Sequence, residues 1–113
     1  MKAENGEEII IFSVKMDFDS YHNYINSIVF RAGDPDEKKA EEYCIKVCGE
    51  IALKLNIGGV IKITLENEDT GAVKSIYRIR KNSESSELMY AEQWRIDNFH
   101  TRKGYEPKWK ENQ

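Results

Sequence analysis

Two cysteines, two prolines and two histidines are all that this chain of 113 residues holds of the types that most often carry chemistry or break an element. Two cysteines allow one internal bridge and no disulfide scaffold. Structural zinc takes about four ligands, and Cys44, Cys48, His22 and His100 are the whole supply of thiol and imidazole. No apolar run approaches the ~20 residues that cross a bilayer. The opening stretch, 1–8, is acidic and has no apolar core of a secretory signal. A glycine-rich phosphate loop, a nucleophile elbow and an HExxH pair are all missing. These absences lead to the expectation of a cytoplasmic protein with no metal, no cofactor and no membrane contact.

What is present is charge, unevenly spread. Residues 1–70 carry eight Lys/Arg against fourteen Asp/Glu, while residues 71–113 carry nine against six, so the halves stand at −6 and +3. Such asymmetry arises from two solvated faces that attract each other, or from an anionic partner of the basic half.

Hydrophobic spacing places the elements. From Glu8 to Phe18 the residues Ile10, Phe12, Val14, Met16 and Phe18 alternate with polar ones, the period of a strand. Over 20–32, Tyr21, Tyr24, Ile25 and Ile28 follow helical spacing and predict a short helix, although the run Ser27–Phe30 has strand composition. Asp34-Pro35-Asp36-Glu37 reads as a helix start, with Asp34 as the cap and Pro35 at the first helical position. Ala40, Tyr43, Cys44, Val47, Cys48, Ile51 and Leu55 then recur at steps of three and four. The two cysteines lie inside that stripe, where a neutral thiol behaves as a small hydrophobe, so both are assigned to the core.

Two strands follow, Val60–Glu66 and Ala72–Lys81, joined by a turn that ends in Gly71. In the second, Val73, Ser75, Tyr77 and Ile79 oppose Lys74, Ile76, Arg78 and Arg80; the first set is assigned to the helix side. Residues 88–99 are read as a third meander strand, with Glu92 out of phase. The expected fold is an α+β two-layer domain over residues 1–100, an antiparallel sheet of about four strands under one long helix, with a basic and aromatic tail over 101–113. This order of elements resembles that of small ribosome-dependent ribonuclease toxins; no motif of that family is matched.

Two regions are candidate sites. On these strand phases, the sheet face away from the helix collects Lys62, Lys74, Arg78, Arg80 and Arg95, with Lys103 beyond them. Basic side chains interleaved with Ile76 and Phe99 on an open sheet can neutralise phosphates and stack on bases. In the segment 95–110, His100 lies beside Arg102, with Asp97 placed to orient it. Imidazole exchanges protons near neutral pH and adjacent cations steady an anionic transition state, which suits phosphodiester cleavage. The leading expectation is nevertheless a non-catalytic accessory or protein-interaction domain that self-associates into a homo-oligomer or binds a protein partner. The alternatives are an RNA-directed module or ribonuclease using the basic face and His100, and an acidic inhibitor-type protein using the exposed side of the 34–50 helix.

Overall fold

The computed structural model describes residue 6, residues 8–19 and residues 25–91. Its elements run β1 (Ile10–Asp19), β2 (Ile25–Asp34), α1 (Glu37–Lys54), β3 (Val60–Asn67), β4 (Val73–Arg80) and β5 (Leu88–Tyr90). The five strands form one sheet in the order β2-β1-β3-β4-β5, every neighbouring pair antiparallel. With α1 packed on one face, the protein is the expected two-layer α+β domain, widened by one strand. No described helix is long and apolar enough to cross a membrane.

The extra strand is β2, which takes up residues 25–32 of the span 20–32 expected to be a short helix; residues 20–24 lie outside the described residues. Its pairing with β1 sets Ile28 opposite Met16 and Phe30 opposite Val14. Ile28, Phe30 and Ala32 thus fall on the helix face and pack against the core. Branched and aromatic residues pack well on a pleated surface, and here tertiary pairing with β1 outweighs the helical spacing of Ile25 and Ile28.

The start of α1 also differs in detail. Asp36, not Asp34, is the cap, its carboxylate accepting the Lys39 N–H at 2.9 Å, while Asp34 accepts the Asp36 N–H at 3.0 Å. A residue before proline is kept extended, so Asp34 remains the last residue of β2. The helix ends in a left-handed Asn56, φ 52°. Ile57 N–H bonds back to Ala52 O at 2.8 Å and Asn56 N–H to Leu53 O at 3.2 Å. This is the Schellman arrangement, with buried Ile57 as its hydrophobic clasp.

The core lies between α1 and the centre of the sheet. Val14 and Met16 from β1, Ile61 and Ile63 from β3, and Cys44 and Cys48 from α1 all have zero exposure. Each large apolar side chain so buried contributes about 1.5–3 kcal/mol. The helix comes closest to the sheet layer's rim at Gly49, where a Cβ would collide with the Ser86 carbonyl oxygen and touch Leu88.

The phase of β4 is the reverse of the one expected. Ile63 stands opposite Ile76, Leu65 opposite Lys74, and Ile61 opposite Arg78. Since Ile61, Ile63 and Leu65 face the helix, so do Lys74, Ile76, Arg78 and Arg80, and Tyr77 turns to the other side. The β3–β4 turn dictates this. Asn67 Oδ1 accepts the N–H groups of Asp69 and Thr70, Gly71 N–H returns to Asn67 O at 2.8 Å, and Gly71 supplies φ 77°. A turn so fixed sets the register, and a slip of one residue would exchange the faces of the whole strand.

Burial pushes the Cys44 thiol from 9.0 to about 11, with the charge of Glu41 adding. It pushes Cys48 from 9.0 to about 12, with Cys44 adding. Both thiols are expected to resist a disulfide reagent in the folded protein at pH 8 and to react on unfolding. The raised values also set a pH dependence: the unfolded chain sheds these protons near pH 9.0 while the folded chain keeps them. Stability is therefore full below that pH and falls as pH rises towards the folded values. Urea melts at pH 8, 9 and 10 read this directly, with the double Cys→Ala variant as the control that lacks the extra slope.

Candidate functional site

The basic residues expected on one open face are divided between two. Lys62 alone of the described set lies on the open face, flanked by Asp17 on β1 and Tyr77 on β4. Lys74, Arg78 and Arg80 lie on the helix side, where each has a partner. Lys74 Nζ meets Glu41 of α1 at 2.6 Å. Arg80 donates from Nη1 to Ala52 O and from Nη2 to Asn56 Oδ1, both at 2.9 Å. Its guanidinium thus caps carbonyl groups at the negative end of α1, where a cation is favoured. Arg78 donates to Tyr77 O at 3.0 Å and sits 5.3 Å from the centre of the Tyr90 ring. Lys74, Arg78 and Arg80 therefore do not join Lys62 on the open face. Arg95, Asp97, His100, Arg102 and Lys103 lie outside the described residues.

Between α1 and β4, these contacts leave a cavity of about 210 Å³ lined by Glu41, Lys74, Ile76, Arg78 and Tyr90 among others. The Glu41–Lys74 pair neutralises one of its two cations, and the charge of Arg78 is left over. The Arg78–Tyr90 stack is an exposed cation–π contact, worth about 0.5–1 kcal/mol. Among the described residues, no three His, Cys, Asp or Glu side chains converge on one point.

The open face mixes charged and apolar side chains instead: the register sets Lys15, Arg31 and Lys62 there with Asp17 and Glu66, and Val29 and Val73 among them. One corner is closed by Glu68 from the β3–β4 turn, which accepts Arg31 Nε at 2.7 Å and Nη2 at 2.8 Å. Glu68 also accepts the Ser13 hydroxyl at 2.7 Å. These bonds hold the Glu68 carboxyl well down, from 4.5 to about 2, with the Arg31 bond the largest cause and Ser13 next. Next along the face, Ser27 of β2 donates its hydroxyl to Asp17 of β1. At the far end Val60 and Ala91 are buried, with Ile25 and Tyr77 packed on them. Asp19 shares that end of β1, only 7% exposed, and neither carboxylate oxygen has a hydrogen-bond partner among the described residues.

β2 is an edge strand ten residues long, with no strand on its outer side among the described residues. It contains no proline, and Val29 at its middle is 72% exposed. Above it runs one flank of α1. Glu41 reaches β4 and Gly49 touches the segment before β5, so the opposite flank, Tyr43 and Val47, faces the outer side of β2. Tyr43 is half exposed. The exposed edge and apolar flank together form the candidate interface. The strand-like run Ser27–Phe30 was its only sign in the sequence; that β2 would be outermost depends on pairings far apart in the chain.

No family model, no curated protein and no solved structure matches this chain.

Two outcomes test these assignments. Replacing Arg80 by Met keeps the side-chain length but removes the bonds to Ala52 and Asn56; a loss of about 1–2 kcal/mol in urea unfolding is expected. A change near zero would show the contact to be idle. In an NMR titration the Glu68 carboxyl is expected to protonate near pH 2, and the Arg31→Ala variant should raise that midpoint towards the ordinary carboxylate value. The stability that Glu68 adds is therefore present above its ordinary range and lost as pH falls through the folded value.

Proposed function

We propose that this chain is a non-catalytic protein-interaction domain that engages a partner through the outer edge of β2. What supports the reading is the strand itself: ten residues of main chain at the rim of the sheet, with exposed Val29 at the centre and a half-exposed Tyr43 on the helix above. Unpaired N–H and C=O groups along an edge are a template for a further strand. Native chains that avoid such pairing place lysine or proline mid-edge, and this one places Val29 there.

The RNA-directed reading loses its support on the sheet, because Lys74 and Arg80 are bound to α1 and Lys62 stands apart from them. The acidic-inhibitor reading is weakened by the outer side of α1. There Lys39, Glu42, Lys46 and Glu50 are all exposed and mix both signs.

Val29→Lys places a charge at the centre of the edge without touching the core. The 113-residue chain is expected to hold a protein partner, itself or another, that the V29K chain releases while keeping its circular dichroism and urea midpoint. A V29K chain that keeps every partner, or a wild-type chain that stays monomeric and captures none, would refute the reading.

A further inference from the structure

We propose that the occupant of the β2 edge is a second copy of this chain, paired antiparallel about a two-fold axis at Val29 and joining two sheets into one. The inference rests on the reading of β2 as an interaction edge and names its partner.

The strand is self-complementary about that residue. With Val29 opposite itself, Ser27 faces Arg31 of the other copy, and Ile25 faces Gly33. On the helix side Ile28 faces Phe30, joining two half-buried apolar pairs. No charge meets its like. Shifting the axis two residues, to Arg31, would set two guanidinium groups opposite each other, which is destabilising. The mixed and mostly uncharged sequence of β2 thus favours one register over its neighbour.

The helix layer selects the same axis independently. Only Pro35 and Asp36 separate β2 from α1, so both elements start at one level and run in opposite directions. Between Glu37 and Val47 a helix rises about 15 Å; between Asp34 and Val29 a strand spans about 17 Å. Val47, at the middle of the outer flank, therefore lies within a residue or two of the height of Val29. A two-fold axis through one passes beside the other. The spacing fits as well. α1 packs chiefly over β1 and β2, which sets its axis about 5 Å inside the new seam at a strand spacing of about 4.8 Å. Its symmetry mate then lies about 10 Å away, within the ordinary range for packed helices.

The two helices run antiparallel across the seam. The opposed helix dipoles agree with this orientation. Tyr43 and Val47 of each copy close over the join.

Cross-linking decides the matter. In an antiparallel pair, residues directly opposite have Cα atoms about 4.5–5.5 Å apart, which a disulfide spans. Cys44 and Cys48 are fully buried and do not compete. Val29→Cys is expected to form a covalent dimer rapidly under mild oxidation. Val73→Cys, 61% exposed but on β4 away from this edge, should not. Sedimentation across dilution should show a reversible wild-type dimer, and V29K should raise its dissociation constant at least about tenfold by opposing two charges. A dimer in which V29C links no faster than V73C uses another surface and overturns the proposal. A wild-type chain monomeric at every concentration overturns it too. In that case a different partner released by V29K leaves the interaction reading standing, and the lack of one removes both.

Discussion

The pairing of Ile63 with Ile76 is the constraint on which the remaining geometry depends. It places one apolar residue of β4 beneath the helix and, by alternation, carries Lys74, Arg78 and Arg80 to the same side. The register is set by Asn67 and Gly71 in the turn, several residues away from the contacts that it decides. Once fixed, it determines which cations are consumed by the fold and which surface is left open. Lys74 ties the first half of α1 to β4, and Arg80 secures the helix's last turn. A chain with the other register would carry a basic open sheet and leave α1 without either anchor.

The elements themselves were largely legible. The alternation of Phe12, Val14, Met16 and Phe18 marks β1, and the three–four stripe with its aspartate cap marks α1. The buried thiols followed from their place in that stripe. β2 was not legible in the same way, because Tyr21, Tyr24, Ile25 and Ile28 fit a helix as well as Ile28, Phe30 and Ala32 fit a strand; pairing with β1 decides between them. The phase of β4 was harder still. Val73, Ser75, Tyr77 and Ile79 are together the more apolar set, so local hydrophobicity points the wrong way. Arginine and lysine can lie on the inner side only because α1 offers Glu41, Ala52 O and Asn56 Oδ1 to meet them, and those groups are 33, 28 and 24 residues distant in sequence.

The candidate site was correspondingly hidden. An edge strand is defined by what does not pair with it, and no short window of residues records that. Val29 looks like an interior strand residue and Tyr43 like part of the helix's buried stripe. It is the offset of α1 towards β1 and β2, with Glu41 and Gly49 on the inner flank, that turns Tyr43 and Val47 outward. The same offset opens the groove at Arg78 and Tyr90 on the opposite side. Both surfaces are products of one lateral displacement between layers.

Gly49 gives that displacement a mechanical meaning. Because a bare α-carbon rests almost on the Ser86 carbonyl, helix and connecting segment touch there main chain to main chain, with no flexible side chain between them to absorb strain. A β-carbon at position 49 would have to push α1 off that carbonyl, so the seating of the helix over the sheet depends on the one helical position that bears no side chain.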